Sequence, residues 1–197
     1  MLSALPGQSG VTIIELAVGL TIAGILLALG MPSFSVYLQN ARLGNAAKSF
    51  YTGVQQARAE AIQRNTLVEF IPTATPIDSN IVNTVTYSAT GQNWVARVQD
   101  PAASSRLVDA KSAIEGAAGT VSPIAVSASG PALVFNGLGS STAGAATVIS
   151  ISNPVMGLCA PLGPVKCWNV EVAPGGQVKL CDPSAAPGVG DSRACTF

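Results

Sequence analysis

The sequence predicts an α+β protein in which one long N-terminal helix packs on an antiparallel β-sheet domain. Three observations predict this class. Residues 11–31 are almost entirely apolar, residues 32–65 carry apolar side chains at helical spacing, and several segments after residue 66 alternate apolar with polar side chains. The 197 residues suffice for one domain with an accessory segment.

The apolar run at residues 11–31 is long enough to cross a membrane. Its 21 residues contain a single charged group, Glu15. As a helix this run measures about 31 Å, and the hydrocarbon core of a bilayer is roughly 30 Å thick. Pro32 follows at once and is expected to bend or end the helix, because proline removes a backbone donor and clashes with the preceding turn.

Three interpretations of this run treat Glu15 differently. A cleaved secretory signal would use Ala28, Leu29 and Gly30 as its cleavage site, but residues 1–10 contain no Lys or Arg. An ordinary single-span anchor leaves the carboxylate unexplained, because a charge inside the bilayer costs roughly 2.5 to 3.5 kcal/mol. In the third interpretation the carboxylate has a partner.

The residues that follow Gly10, Val-Thr-Ile-Ile-Glu, resemble the type IV prepilin cleavage signature. The resemblance implies that prepilin peptidase cuts between Gly10 and Val11, that the new N-terminus is methylated, and that Glu15 pairs with the N-terminal amine of a neighbouring pilin. Such a pair relieves two charges that are each costly in a bilayer. Pro32 lies where pilins commonly carry a helix-bending proline. Val11 replaces the usual Phe, and the leader lacks the usual basic residues.

All four cysteines lie in the last 39 residues: Cys159, Cys167, Cys181 and Cys195. With no histidine and no CxxC pair, a zinc site would need all four thiolates at unusual spacings, so we expect two disulfides and no metal or cofactor. Of three pairings we favour Cys159 with Cys167 and Cys181 with Cys195, because each closes a short loop. Disulfides indicate the periplasm or the cell exterior, whereas the basic residues that follow the apolar run favour the cytoplasm.

Residues 32–65 predict an amphipathic continuation of the helix. The apolar stripe consists of Val36, Leu43, Ala47, Phe50, Val54, Ala57 and Ala61. Four basic residues against Glu60 give the segment a charge of +3. Residues 56–65 resemble the helix ending of the FimT/GspH group of pilin-like proteins.

The remainder of the chain predicts antiparallel strands with one buried face. The side chains expected to point inward are Trp94, Ala96, Val98, Ile149, Ile151, Trp168, Val170 and Val172. A turn at residues 174–176 predicts a C-terminal hairpin that continues through residues 177–181. Residues 132–134 are strand-like, and residues 135–139 resemble a second FimT/GspH motif. Residues 100–105 and 115–120 are predicted loops.

We expect no enzymatic activity and assign no catalytic residue. The absence of histidine removes Ser-His-Asp and Cys-His nucleophile pairs. The glycines at 137, 139, 175 and 176 lack the strand, spacing and helix of a nucleotide-binding motif.

Residues 176–183 and 191–195 are similar to the C-terminus of FimT proteins, where a Gly-Arg-x-Arg motif is associated with DNA binding in natural transformation. Gln177 and Lys179 occupy the two arginine positions here, and Arg193 follows in the tail. One hypothesis is that these three residues contact DNA. The other is that they are structural charges around a disulfide loop, because the charges from residue 153 onward sum to zero and form no electropositive stripe.

These features together predict a FimT-like minor pilin that assists the assembly of a type IV pilus. The expected segments are a leader at residues 1–10, a transmembrane and filament-core helix at 11–31, an exposed half-helix at 32–65 and a β-domain at 66–197. The expected location is the inner membrane, single-pass, with the C-terminal domain periplasmic, and extracellular in a pilus. The expected partners are other major and minor pilins, prepilin peptidase, the inner membrane and DNA. The alternatives are a GspH-type pseudopilin of type II secretion and a secreted non-enzymatic binding domain.

Overall fold

The structure is a computed structural model that describes residues 10–99, 106–112, 124–186 and 190–196, apart from the side chains of residues 29–32. The predicted loop at 100–105 and the one at 115–120 lie outside these residues. The chain divides into two compact units, Met1–Leu38 and Gln39–Phe197.

The described chain begins with one long helix and continues mainly as short strands. The elements in chain order are α1 (Ile13–Arg64), β1 (Val68–Thr73), α2 (Ile81–Thr84), β2 (Asn93–Val98), β3 (Arg106–Ser112), β4 (Ala125–Ala128), β5 (Leu133–Phe135), β6 (Thr147–Ser152), a 3₁₀ turn (Pro154–Met156), β7 (Trp168–Val172) and β8 (Val178–Cys181). The predicted α+β class, a long N-terminal helix followed by antiparallel sheets, is confirmed.

The first unit contains the N-terminal part of α1. Its side chains from Gly10 to Ala28 are all exposed. Within the described residues, no unbroken helix meets the length and hydropathy expected of a membrane span, although the bent pair Ile13–Ala28 and Ser33–Arg64 does so when taken together. The bend lies between Ala28 and Ser33, where the sequence predicted one at Pro32.

The second unit holds two four-stranded sheets. One has the order β3-β2-β1-β5 and the other the order β4-β6-β7-β8. All neighbouring strands in both sheets are antiparallel. The hairpin predicted around residues 174–176 is present, since β7 pairs with β8 and Val172 lies opposite Val178.

The core of this unit forms between α1 and the inner faces of the sheets. Six of the seven stripe residues are completely buried: Leu43, Ala47, Phe50, Val54, Ala57 and Ala61. The rings of Phe50 and Phe70 meet edge to face with centroids 6.1 Å apart. Trp94 Nε1 donates a 3.0 Å hydrogen bond to Ser49 Oγ, so its one polar atom is satisfied inside the core. Val36, the seventh stripe residue, is only half-buried.

The strict alternation predicted for β2 is wrong at Val95. This side chain belongs to the outward set in the sequence pattern, yet it is completely buried. Its register partner Ile71 is also buried, as is Ile81 on α2, and α2 contacts β2. Arg97 forms an ion pair with Glu69 and donates from Nη1 to the Val82 carbonyl at 2.7 Å. The outer face of β1 and β2 is therefore covered by α2.

The alternation predicted for β7 is wrong at Glu171, which was predicted to face solvent and is buried. Trp168 packs against the core as predicted, although it is only half-buried. The C-terminal tail covers Glu171, since the Thr196 amide donates to Glu171 Oε2 at 3.1 Å. A hydrogen-bonded carboxylate is tolerated in such a position.

Candidate functional site

Two regions carry the predicted site residues, and they lie in different units. The first is the start of α1. The Glu15 amide donates to Thr12 Oγ1 at 3.3 Å, and the Leu16 amide donates to the Thr12 carbonyl at 3.1 Å. Thr12 therefore caps the helix, and Glu15 stands three residues later, in the Thr-x-x-Glu spacing of a capping box.

The Thr-x-x-Glu spacing, which the sequence analysis did not use, places the Glu15 carboxylate in the first turn of the helix. A carboxylate in the first turn of a helix is favoured by the unpaired amide groups there, typically by about 0.3 to 1 kcal/mol. That gain is smaller than the cost of placing a charge in a bilayer. Capping alone therefore does not account for a glutamate in this apolar run.

Gly10 and Val11, the residues of the predicted cleavage site, precede the helix and are exposed. No atom approaches within 4 Å of the position that a Cβ on Gly10 would take. A peptidase therefore meets no steric obstacle from the described part of the chain at this peptide bond.

The apolar side chains that follow Glu15 are exposed on every side of the helix. Those more than half exposed are Leu16, Val18, Leu20, Ile22, Ile25, Leu26 and Leu27. A helix that is apolar all around is stable only when lipid or other helices surround it. The first unit thus requires an apolar environment.

The second region is the C-terminal hairpin and tail. Disulfides join Cys159 to Cys167 and Cys181 to Cys195, with Cα atoms 5.5 and 5.1 Å apart, which is the pairing favoured from the sequence. The Cys181–Cys195 bond links strand β8 to the tail. Glu171 lies within 4.8 Å of these two sulfur atoms, but disulfide sulfur offers no thiolate to a metal ion.

The three proposed DNA-contacting residues do not form a free cationic surface. Gln177 is exposed in the turn before β8, and Lys179 Nζ donates to Thr196 Oγ1 at 3.0 Å. Arg193 binds Asp191 through two hydrogen bonds, Nε to Oδ1 at 3.0 Å and Nη2 to Oδ2 at 2.8 Å. The two-point ion pair neutralises the arginine locally.

Hydrogen bonds from the Arg193 side chain and backbone lower the pKa of Asp191 to about 2, and the same side-chain contact raises the pKa of Arg193. Because the pKa of Asp191 is lower in the folded state, the stabilisation from this ion pair is fully present above the ordinary Asp pKa of 3.8. It is lost only as the pH falls through about 2. At neutral pH Asp191 is therefore ionised and pairs with Arg193.

The motif at residues 135–139 joins α1 to the C-terminal hairpin. Arg58 Nε on α1 donates to the Gly139 carbonyl at 2.9 Å, and the Ser141 amide donates to the Pro174 carbonyl at 3.0 Å. Gly139 and Gly176 have positive φ angles of 76° and 79°. A Cβ on Gly176 would lie 1.8 Å from the Gly139 oxygen, so only glycine fits this contact.

A comparison with models of protein families shows which family the chain belongs to. The model of the family described as type II transport protein GspH matches residues 46–186. The chain belongs to the GspH family. The matched region begins on α1 and ends after β8, so it includes both sheets and the Arg58–Gly139 contact of this GspH-family protein.

Two crystal structures of one minor pilin show the same fold. The type IV minor pilin FimU of Pseudomonas aeruginosa strain PAO1 is 13% identical, and the match covers 77% of this chain and 97% of that chain with a TM-score of 0.54. A second crystal form of FimU covers 74% of this chain and 98% of that chain, at 13% identity and a TM-score of 0.50. The minor pseudopilin EpsH of Vibrio cholerae is 15% identical, covering 73% of this chain and 99% of that chain, with a TM-score of 0.48. No curated protein sequence matches this chain.

Proposed function

We propose that this GspH-family protein is a FimT-like minor pilin that joins a type IV pilus and assists its assembly. The observation that carries the proposal is the exposed apolar helix of the first unit, with Glu15 in its first turn. A folded domain with its own core does not need this helix for its stability. The helix instead suits lipid before assembly and neighbouring helices afterwards.

The proposal includes processing and location. Prepilin peptidase cleaves between Gly10 and Val11, the new N-terminus is methylated, and residues 11–31 span the inner membrane with the β-domain in the periplasm. The two disulfides support the periplasmic side, since they need an oxidising compartment. The protein acts by assembly rather than by catalysis, with other pilins as its partners.

The pilus assignment is tested by fractionation. We expect the tagged full-length chain to be recovered in surface filaments that are sheared from the cells. Recovery in the membrane fraction alone, from cells whose sheared filaments contain the major pilin, would favour the other candidate, a GspH-type pseudopilin of type II secretion. The match to the GspH family model favours that candidate, whereas the cysteine-bonded tail favours the pilus.

We also propose that the C-terminal tail binds DNA. The Arg193–Asp191 ion pair provides a way to test this. Asp191→Asn removes the charge that neutralises Arg193, so we expect tighter binding of duplex DNA and a salt dependence steeper by about one phosphate contact. The measurement is a mobility-shift titration of the full-length chain in detergent at several salt concentrations.

Asp78→Asn is the matched control, because it also removes one exposed negative charge, outside the tail and outside the sheet that contains β8. The double variant Lys179→Ala/Arg193→Ala is expected to abolish the shift. A shift that survives the double variant, or no shift for wild type and Asp191→Asn alike, contradicts a DNA-binding role for these residues.

A further inference from the structure

The loop between β6 and β7 exposes an unusual amount of apolar surface. Residues 154–165 contain no charged side chain. Val155, Leu158 and Leu162 are 77%, 65% and 82% exposed. We call residues 154–165 the apolar loop. Exposed apolar side chains that cluster in one loop indicate a contact surface rather than chance.

The apolar loop is held in a defined shape. The Cys159–Cys167 disulfide closes it, and the Ala160 amide donates to the Val165 carbonyl at 2.7 Å. Val165 is completely buried and fixes the base of the loop. Beside Leu158 and Leu162 lies a shallow hollow of about 350 Å³. These constraints prevent the exposed leucines from folding back onto the core.

Both ends of the apolar loop are fastened to the beginning of the helix in the second unit. Asn153 Nδ2 donates to Gln39 Oε1 at 3.2 Å, and the Lys166 amide donates to Asn40 Oδ1 at 2.8 Å. Gln39 follows the apolar run by only eight residues, which is about 12 Å of helix. The loop is therefore attached where the domain begins, close along the chain to the proposed membrane span.

Exposed positive charge follows the loop's attachment point on α1 and the end of the loop itself. Arg42, Lys48 and Lys166 are exposed, and the ion pairs among the described residues involve other cations. The sequence contains no Asp or Glu at residues 16–59 or 154–170. Pro183 and Ser184 also line the hollow, and Ser184 donates to the buried carboxylate of Asp182. The charges on residues 39–59 and 154–170 are nevertheless all basic, although the net charge of the whole chain is zero.

We propose that the apolar loop, with Arg42, Lys48 and Lys166, docks on the surface of an anionic bilayer while the subunit is anchored in it. Basic side chains are attracted to anionic headgroups, and apolar ones enter the headgroup boundary by about 5–10 Å. A second copy of this chain fits less well, because the same positive charges would face one another. The inference rests on the proposed membrane anchoring of the first unit.

The test follows the depth of one loop residue in the full-length chain. The chain is reconstituted into vesicles of phosphatidylcholine alone or with phosphatidylglycerol, each containing lipids brominated on the acyl chains. Leu162→Trp is expected to show fluorescence quenching by bromine beyond that of the wild-type Trp94 and Trp168, and the extra quenching is expected to be larger with phosphatidylglycerol. Leu138→Trp is the matched control.

Leu138 suits this purpose because it is 85% exposed in a loop and precedes Gly139, which Arg58 contacts. Arg58 lies 18 residues beyond Asn40 on α1, or about 27 Å of helix. Quenching of Leu162→Trp no greater than that of Leu138→Trp overturns the inference, and so does equal quenching in the two lipid mixtures.

A second variant tests lipid docking by removing two exposed basic side chains, which does not alter the core. One basic residue near an anionic surface favours the docked state about fivefold, so Arg42→Gln/Lys166→Gln is expected to reduce the ratio of docked to undocked domain roughly 30-fold. The fluorescence emission of Leu162→Trp provides a further check. If this emission shifts to the blue as the protein-to-lipid ratio rises, and bromine does not quench it, a second copy of the chain covers the loop and lipid docking is contradicted.

Carbonate extraction of the same vesicles separates this inference from the proposed function. Release of the chain contradicts the membrane anchor itself. Retention of the chain with an unquenched Leu162→Trp contradicts only the docking of the apolar loop.

Discussion

Replacing Glu15 with Ala is expected to lower the recovery of the protein in sheared filaments by at least about two orders of magnitude, because it leaves the N-terminal amine of a neighbouring subunit without its partner. Removing one member of a buried ion pair costs about 3 to 5 kcal/mol. Membrane insertion and cleavage after Gly10 should persist. The measurement is the amount of the variant in sheared filaments relative to its amount in the membrane.

Glu15→Gln separates the charge from the helix cap. Glutamine fits the Thr12 capping box as well as glutamate does, but it carries no charge. If assembly depends on the ion pair, Glu15→Gln fails as Glu15→Ala does. If the residue serves only the cap, Glu15→Gln behaves as wild type, and Thr12→Ala, which costs about 1 kcal/mol of helix stability, has a defect similar to that of Glu15→Ala. That second outcome would refute the assigned role.

Replacing Gly176 with Ala is expected to destabilise the β-domain by about 3 kcal/mol. The φ angle of 79° disfavours a side chain, and the added Cβ would lie 1.8 Å from the Gly139 carbonyl oxygen. That oxygen accepts the hydrogen bond from Arg58, so any adjustment disturbs the junction of helix, loop and hairpin. The midpoint of urea unfolding, followed by the fluorescence of Trp94 and Trp168 in the detergent-solubilised full chain, reports the change.

The neighbouring glycine provides the control for this change. No atom lies within 4 Å of a Cβ placed on Gly175, so Gly175→Ala should alter the free energy of unfolding by no more than about 0.5 kcal/mol. Equal midpoints for Gly175→Ala and Gly176→Ala would show that the close contact between the two loops does not constrain the hairpin.

Local patterns in the sequence predicted the parts of the fold that depend on local spacing. The stripe from Leu43 to Ala61 repeats at helical spacing, and its residues are buried on one face of α1. The Pro-Gly-Gly turn lies between two strand-like segments, and the hairpin forms there. Short loop lengths favoured the two disulfides that are present.

Features that depend on distant contacts could not be predicted. The burial of Val95 requires α2, which has only four residues and therefore no readable periodicity. Arg58 and Gly139 are 81 residues apart in the chain, so no local pattern connects them. The Arg193–Asp191 pair is local, but it depends on the turn of the tail, which no periodic pattern in the sequence predicts. It is this pair that weakens the DNA-binding hypothesis.

The mass of the mature N-terminal peptide, measured on protein purified from the membrane, tests most directly whether the chain is a processed pilin. Cleavage between Gly10 and Val11 predicts a chain that begins at Val11, with the added mass of one N-methyl group and with Glu15 as its fifth residue. A mature chain that begins at Met31 would lack the helix that carries assembly. It would identify a secreted binding domain and contradict the proposed function.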